Sequence, residues 1–65
     1  MSQLSFITFC LELYAEHKNM SSPEVYQLFN KTGIMELLKT DYEDLHGMSF
    51  EYLNQFFDSY LEGKA

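Results

Sequence analysis

The chain has 65 residues, of which 46% are hydrophobic, and ten acidic residues against four lysines give a formal net charge of −6. That length predicts a single domain with a small core, residues 1–65, and the hydrophobic fraction excludes a disordered chain. The negative charge and the lack of arginine argue against binding to nucleic acid or to an anionic membrane surface, because both would repel the protein.

Cysteine usage and the N-terminal residues predict the compartment. Cys10 is the only cysteine, which excludes an intrachain disulfide framework and favours a small buried side chain. No signal peptide is expected, because Met1-Ser2-Gln3 carries no basic residue and the acidic Glu12 and Glu16 follow closely. No apolar run approaches the ~20 residues that are needed to span a bilayer. We therefore expect a protein of the reducing cytoplasm.

The first predicted helix runs from Leu4 to His17, a segment without glycine or proline. Apolar residues at helical spacing form one face of it: Leu4, Ile7, Leu11, Tyr14 and Ala15. A second apolar group lies on roughly the opposite side: Phe6, Phe9, Cys10 and Leu13. A helix that is apolar nearly all round is either central in its bundle or partly covered by another molecule.

The second predicted helix lies between a capping serine and a glycine. Pro23 disfavours helical geometry at Ser22, so Ser22 is predicted as the N-cap and Pro23 as the first helical residue. The helix is expected to stop at Gly33, which adopts the left-handed cap conformation without steric cost.

The third predicted helix starts at Ile34 and is expected to be interrupted near Asp41. Continuing the same helix would bring this carboxylate into the middle of an apolar face, where an unpaired charge is costly. Thr40 and Glu43 have the spacing of a capping box, which would start a fresh short helix. One bent helix remains the alternative.

The last predicted helix has Ser49 as its N-cap and ends at Gly63. No stretch alternates with period two, so strands are not predicted. We predict an all-α fold, a compact bundle of four main helices whose third helix is broken or kinked near Thr40–Asp41. The predicted core consists of Leu4, Ile7, Leu11, Leu28, Phe29, Leu37, Leu38, Leu45, Leu53, Phe56 and Phe57.

Two pairs of side chains have spacings that are used in metal or catalytic sites. Glu43 and His46 match the Glu-x-x-His motif of di-iron bundles, but the second motif is missing, because Tyr14 precedes His17 where a glutamate is required. Cys10 and His17 are two helical turns apart, about 10 Å, which is too far for direct proton transfer. We therefore predict no enzymatic activity, no cofactor, no metal and no small-molecule substrate.

The helix–glycine–helix spacing from Pro23 to about Lys39 resembles a helix-turn-helix, so a DNA-binding regulator is the alternative function. The reading helix would present Met35, Glu36, Lys39 and Thr40. Because that helix carries one acid per base and no arginine, it is poorly suited to the major groove. Antiparallel helix packing explains the spacing better.

Apolar residues outside the main stripes are the candidates for binding a partner: Phe6, Phe9, Leu13, Tyr26 and Tyr52. Tyrosines suit interfaces because one end of the side chain is apolar and the other tolerates water, although partly exposed tyrosines also cover helix sides. Leaving the whole group in water would expose more contiguous apolar area than monomers usually tolerate. We expect a protein partner or a homodimer.

Four segments carry a resemblance to a known family: Phe9–Tyr14, Val25–Phe29 with the following Gly33-Ile34, Tyr42–His46 and Phe56–Leu61. Over about Phe6 to Leu61 the chain resembles the small bacterial proteins grouped as domain-of-unknown-function family 3791; the Ser22-Pro23 cap departs from the family's pattern. The resemblance provides no catalytic residues that could be carried over to this chain. Such proteins are often encoded beside proteins resembling ADP-ribosyltransferases, which implies an accessory or antitoxin-like binding partner.

Overall fold

The computed structural model of the protein describes residues 2–63, and every regular element within them is a helix. The helices are α1 (Gln3–Lys18), α2 (Ser22–Thr32), α3 (Ile34–Thr40), α4 (Tyr42–Leu45) and α5 (Phe50–Glu62). The fold is therefore all-α, as predicted. The described part of the chain is compact, with principal extents of 27, 22 and 21 Å.

Helix α1 is the central element, because it packs against α2, α3 and α5. The Ser2 hydroxyl caps its first turn and accepts a hydrogen bond from the Ser5 amide at 3.1 Å. Asn19 ends the helix in the left-handed conformation, at φ 56°. This central position gives α1 neighbours on several sides, which explains why its sequence is apolar nearly all round.

The buried face of α1 differs from the predicted one. Phe6 and Cys10 are fully buried, and Tyr14 follows on the same stripe at i, i+4 spacing. Leu4 was predicted in the core but is 74% exposed, because it lies in the first turn at the end of α1, whereas Ile7 and Ala15 of the same predicted face are buried. Leu11 is only half-buried at the edge of the core.

Helix α2 begins one residue earlier than predicted. Its N-cap is Ser21, whose hydroxyl accepts from the Glu24 amide at 3.3 Å while the Ser21 amide donates to the Glu24 carboxylate at 2.9 Å. The prediction of Ser22 as the cap was wrong, because only Ser21 has a glutamate three residues later to close the capping box. Gly33 ends the helix at φ +91°, which confirms the predicted stop.

Helices α3 and α4 are separate elements with Asp41 between them. The predicted capping box is wrong: the Thr40 hydroxyl donates to the Glu36 carbonyl at 3.2 Å inside α3, and no side chain caps α4. Residues 2–63 thus form five helices, and the count of four main helices is not confirmed. The last helix begins and ends as predicted, since the Ser49 hydroxyl accepts from the Tyr52 amide at 3.1 Å and Gly63 follows its C-terminus.

The core is centred on three aromatic rings from three helices. Phe29 of α2 and Phe57 of α5 have ring centroids 5.1 Å apart, and Tyr14 of α1 lies 5.7 and 5.6 Å from them. Predicted core residues found buried are Ile7, Phe29, Leu38, Leu45, Leu53 and Phe57. Those found half-buried are Leu11, Leu28, Leu37 and Phe56. Seven further residues are buried although they are not in the predicted core list: Phe6, Cys10, Tyr14, Ala15, Val25, Ile34 and Met35.

Cys10 is one of these interior residues. Its thiol is free and has no exposed surface, and burial raises its pKa to about 12. The nucleophilic thiolate is therefore disfavoured at neutral pH. The prediction of a small buried side chain is confirmed.

Candidate functional site

An open groove lies between α1, the α1–α2 connection and the first turns of α5, with a volume of about 830 Å³. We call it the α1–α5 groove. Its apolar lining comes from Phe9 and Leu13 of α1, Met20 of the connection and Phe50 of α5. Because adjacent turns of α1 carry Phe9 and Leu13, the helix presents them as one strip along the groove.

The charged lining of the groove contains carboxylates but no lysine. Glu12 and Glu16 contribute them, one helical turn apart on α1. The Ser22 hydroxyl donates to the Glu12 carboxylate at 2.5 Å, which holds that side chain against the start of α2. His17, on the same helix, also lines the groove. The groove therefore combines an apolar floor with an acidic rim.

Phe50 is the most exposed aromatic residue of the groove. Its side chain is 60% exposed although its ring lies 5.0 Å from that of Phe9, with an angle of 53° between the ring planes. The residue belongs to the first turn of α5, before Leu53 and Phe57 enter the core. Residues 2–63 thus pack together without covering this ring.

Asn54, which lines the same groove, has an unsatisfied polar atom. Its Oδ1 is buried and accepts no hydrogen bond from residues 2–63. A buried acceptor without a donor costs about 1–3 kcal/mol, so such groups are uncommon in folded proteins. Asn54 lies one turn after Phe50 on α5, and both residues line the groove.

A second feature, the Asp58 cluster, joins the end of α1 to α5. Asp58 Oδ1 accepts from the Tyr14 hydroxyl at 2.6 Å, and Oδ2 lies 2.9 Å from Nε2 of His17. The Lys18 ammonium is 3.5 Å from Oδ1. The hydrogen bond from Tyr14, followed by that from His17, lowers the pKa of Asp58, whereas burial raises the pKa of Tyr14. The cluster connects two packed helices, which is a structural role.

We expect the Asp58 cluster to stabilise the fold at neutral pH and to lose its effect in acid. A lowered folded-state pKa means that the stabilisation is present above the unfolded pKa, about 3.9, and disappears as the pH falls through the folded value. Asp58→Asn should lower the free energy of unfolding by ~1 kcal/mol at pH 7, a value reduced by partial exposure of the carboxylate. The difference from wild type should shrink below about pH 4.

Urea denaturation at several pH values measures this effect. Asp41→Asn is the matched control, because that carboxylate is exposed and does not cap α4. A difference for Asp58→Asn that grows on acidification would show that the ionised carboxylate does not stabilise the fold.

A second cavity, of about 630 Å³, lies beside the Asp58 cluster. Leu28 and Leu61 supply part of its apolar lining. Its charges are mixed, since Lys18 and Lys31 face the cavity together with Asp58 and Glu62. Because these charges offset one another, the cavity has no preference for one sign of ligand.

The five partner-binding candidates lie in three different places. Phe6 belongs to the core at 1% exposure, because it starts the buried stripe of α1; its assignment to a binding surface is corrected. Phe9 and Leu13 are half-buried and lie together in the α1–α5 groove. Tyr26 and Tyr52 are 53% and 44% exposed and line neither cavity.

Phe50 and Asn54 of α5 are among the groove residues that sequence reasoning missed. Phe50 continues the apolar stripe of α5, so the sequence pattern places it in the interior. Asn54 is a polar residue between Leu53 and Phe56, and that interruption of an apolar stretch was the available signal. Neither could be assigned to a groove without knowing where α5 crosses α1.

The remaining sequence motifs serve local structure. Nδ1 of His46 donates to the Tyr42 carbonyl at 2.9 Å, and the two rings stack at 4.7 Å. The imidazole thus bonds to the carbonyl of the first residue of α4. Among residues 2–63, no three His, Cys, Asp or Glu side chains lie close enough to hold one metal ion.

The helix-turn-helix alternative required α3 to present its side chains outward. Met35, one of the four proposed reading residues, lies on the buried face of α3 and belongs to the core. Glu36 and Lys39 remain exposed, with their charged atoms 4.0 Å apart. The exposed face of α3 therefore offers one acid and one base, with no basic cluster for a phosphate backbone.

One family profile matches residues 5–64, nearly the whole chain, and its description is a protein of unknown function (DUF3791). The chain belongs to this family. The resemblance inferred from the sequence is therefore confirmed. No curated protein and no solved structure matches this chain. None of the helices within residues 2–63 has the length and apolar character that crossing a membrane would require.

Proposed function

We propose that this DUF3791 protein is a small acidic protein-interaction module that binds a heterologous protein through the α1–α5 groove. The observation that carries the proposal is the combination of an exposed apolar floor with a rim whose carboxylates have no lysine beside them. Phe50 and Phe9 supply aromatic surface of the kind that is enriched in interface centres. Binding, rather than catalysis, is the role that these side chains support.

The expected partner presents apolar side chains flanked by lysine or arginine. Apolar groups would cover Phe9, Leu13 and Phe50, and cations would approach Glu12 and Glu16 with favourable electrostatics. A second copy of the chain is the poorer occupant. Each copy carries a formal charge of −6, so two acidic surfaces would be brought together.

We further propose that the partner is the product of a neighbouring gene and that the module acts as its accessory or antitoxin-like protein in a bacterial cytoplasm. The gene neighbourhood implied by the family resemblance supports this assignment. A single buried cysteine is compatible with a reducing compartment. A module of this kind needs a recognition surface but no catalytic groups of its own.

Co-expression with the adjacent gene's product, followed by affinity purification and a binding titration, tests the proposal. Phe50→Asp should weaken binding by about thirtyfold, the effect of losing an interface residue worth roughly 2 kcal/mol. Because Phe50 is largely exposed, this substitution should leave the fold intact.

Leu4→Asp and Tyr26→Asp are the matched controls. Each replaces an exposed apolar residue outside the groove with the same charge. Equal loss of binding in all three variants would assign the effect to net charge and contradict the groove assignment. Sedimentation analysis of the free protein addresses the homodimer: a dimer that Phe50→Asp dissociates would show that a second copy is the occupant.

A further inference from the structure

Asn54 is the polar group of the α1–α5 groove that the fold itself does not use. Its Oδ1 is buried without a hydrogen-bond donor from residues 2–63, while Leu53 beside it and Phe57 one turn later fill the core. A leucine of similar size would avoid the unpaired acceptor. A polar residue that weakens the free protein at such a place is typical of a binding site.

The aromatic rings near Asn54 would strengthen a hydrogen bond between its Oδ1 and a donor of the partner. Phe50 lies one turn before it on α5, and the ring of Phe9 lies 5.0 Å from that of Phe50. A partner segment that covers both rings would exclude water from the amide. Hydrogen bonds formed in such a water-excluded place discriminate strongly between segments with and without a donor.

We propose that Asn54 is the specificity-determining residue of the groove, and that its Oδ1 accepts a hydrogen bond from an N–H group of the bound basic segment. This inference rests on the proposed function. Oδ1 is buried in the free chain, and rotation about χ2 of asparagine, which has a broad energy profile, would expose it to the groove. The Phe50 and Phe9 rings provide contact area, and Asn54 selects a segment with a correctly placed donor.

The test uses a short amidated peptide of alternating leucine and lysine, which supplies apolar groups, cations and main-chain N–H donors. Titration into the labelled protein is followed by nuclear magnetic resonance. The side-chain amide signals of Asn54 should shift on binding, together with the backbone signals of Phe9, Leu13 and Phe50. Asn54→Leu should bind the peptide about tenfold more weakly, the effect of one lost hydrogen bond.

Thermal stability provides the readout that separates recognition from a structural role. Asn54→Leu should melt at the wild-type temperature or above, because the unpaired acceptor is replaced by apolar volume. A lower melting temperature would show that Asn54 supports the free fold, through an ordered water for example, and would overturn the inference. Weaker binding without lost stability is the result expected for a recognition residue.

Two further variants separate this inference from the proposed function. If Asn54→Leu binds as tightly as wild type while Phe50→Asp binds weakly, the groove is the binding site but Asn54 does not select its ligand. If Phe50→Asp and Leu4→Asp bind equally, or the peptide does not bind the wild-type protein, the proposed groove itself is wrong. A peptide with glutamate in place of lysine is expected not to bind.

Discussion

Phe57→Ala should lower the free energy of unfolding by about 3–5 kcal/mol, the largest effect expected of a single substitution in this protein. The Phe57 side chain has no exposed surface, and its ring contacts those of Tyr14 and Phe29. Removing it takes away buried apolar area and leaves a cavity between three helices. A small domain has total stability near the lower end of about 5–15 kcal/mol, so the variant should be largely unfolded at 37 °C.

Urea denaturation followed by circular dichroism measures this loss. Phe57→Leu keeps most of the apolar volume and should fall between wild type and Phe57→Ala, so the series is informative even if the alanine variant does not fold. Phe50→Ala is the matched control on the same helix, with an expected change within about 1 kcal/mol because the residue is exposed. Equal losses at positions 50 and 57 would contradict the described core.

The helix ends were the most predictable part of the fold, because their signals are local. Gly33, Ser49 and Gly63 end or begin helices where the sequence indicates. The cap of α2 was misplaced because Ser21 and Ser22 compete, and the glutamate of the capping box decides between them. Thr40 failed as a cap because a threonine hydroxyl can also bond a carbonyl one turn back in its own helix.

The orientation of α1 could not be predicted in the same way. Both of its sides carry apolar residues, so periodicity does not choose which side faces the interior. The choice depends on where α2, α3 and α5 cross it, and these are contacts between residues far apart in the chain. This explains why Leu4 was assigned to the core and Phe6 to a binding surface, whereas Leu4 is exposed and Phe6 is buried in the structure.

Only part of the groove could be predicted, because its residues come from two helices whose crossing the sequence does not show. Phe9 and Leu13 were identified as apolar residues in excess of what the core needs, and they do line it. Phe50 was not identified, because it continues the apolar stripe of α5 in the sequence. In the structure it lies in the first turn of α5 and remains exposed. Glu12 and Glu16 lie between the two apolar stripes of α1. Only the structure shows that their carboxylates line the same groove as the apolar side chains.

Gly33→Ala should lower the free energy of unfolding by about 2 kcal/mol, the second large effect on stability. Gly33 has φ +91°, a conformation that costs any residue with a Cβ roughly 1–2 kcal/mol. An added Cβ would also lie 3.2 Å from the Tyr60 hydroxyl, so the end of the Tyr60 side chain would have to move by a few tenths of an ångström. The reduced entropy of the unfolded chain offsets ~0.4–1 kcal/mol of this loss.

Gly47→Ala is the control that isolates the backbone effect, since an added Cβ there meets no atom within 4 Å and Gly47 has no positive φ. That variant should be as stable as wild type or slightly more stable, because it gains the same unfolded-state entropy without strain. Thermal and urea denaturation of the two variants in parallel measure the difference. If Gly33→Ala and Gly47→Ala were equally stable, the left-handed end of α2 would not be what separates α2 from α3. The turn would then tolerate an ordinary side chain, and the path of the chain would have to be set by the packing of Ile34 and Phe29 in the core.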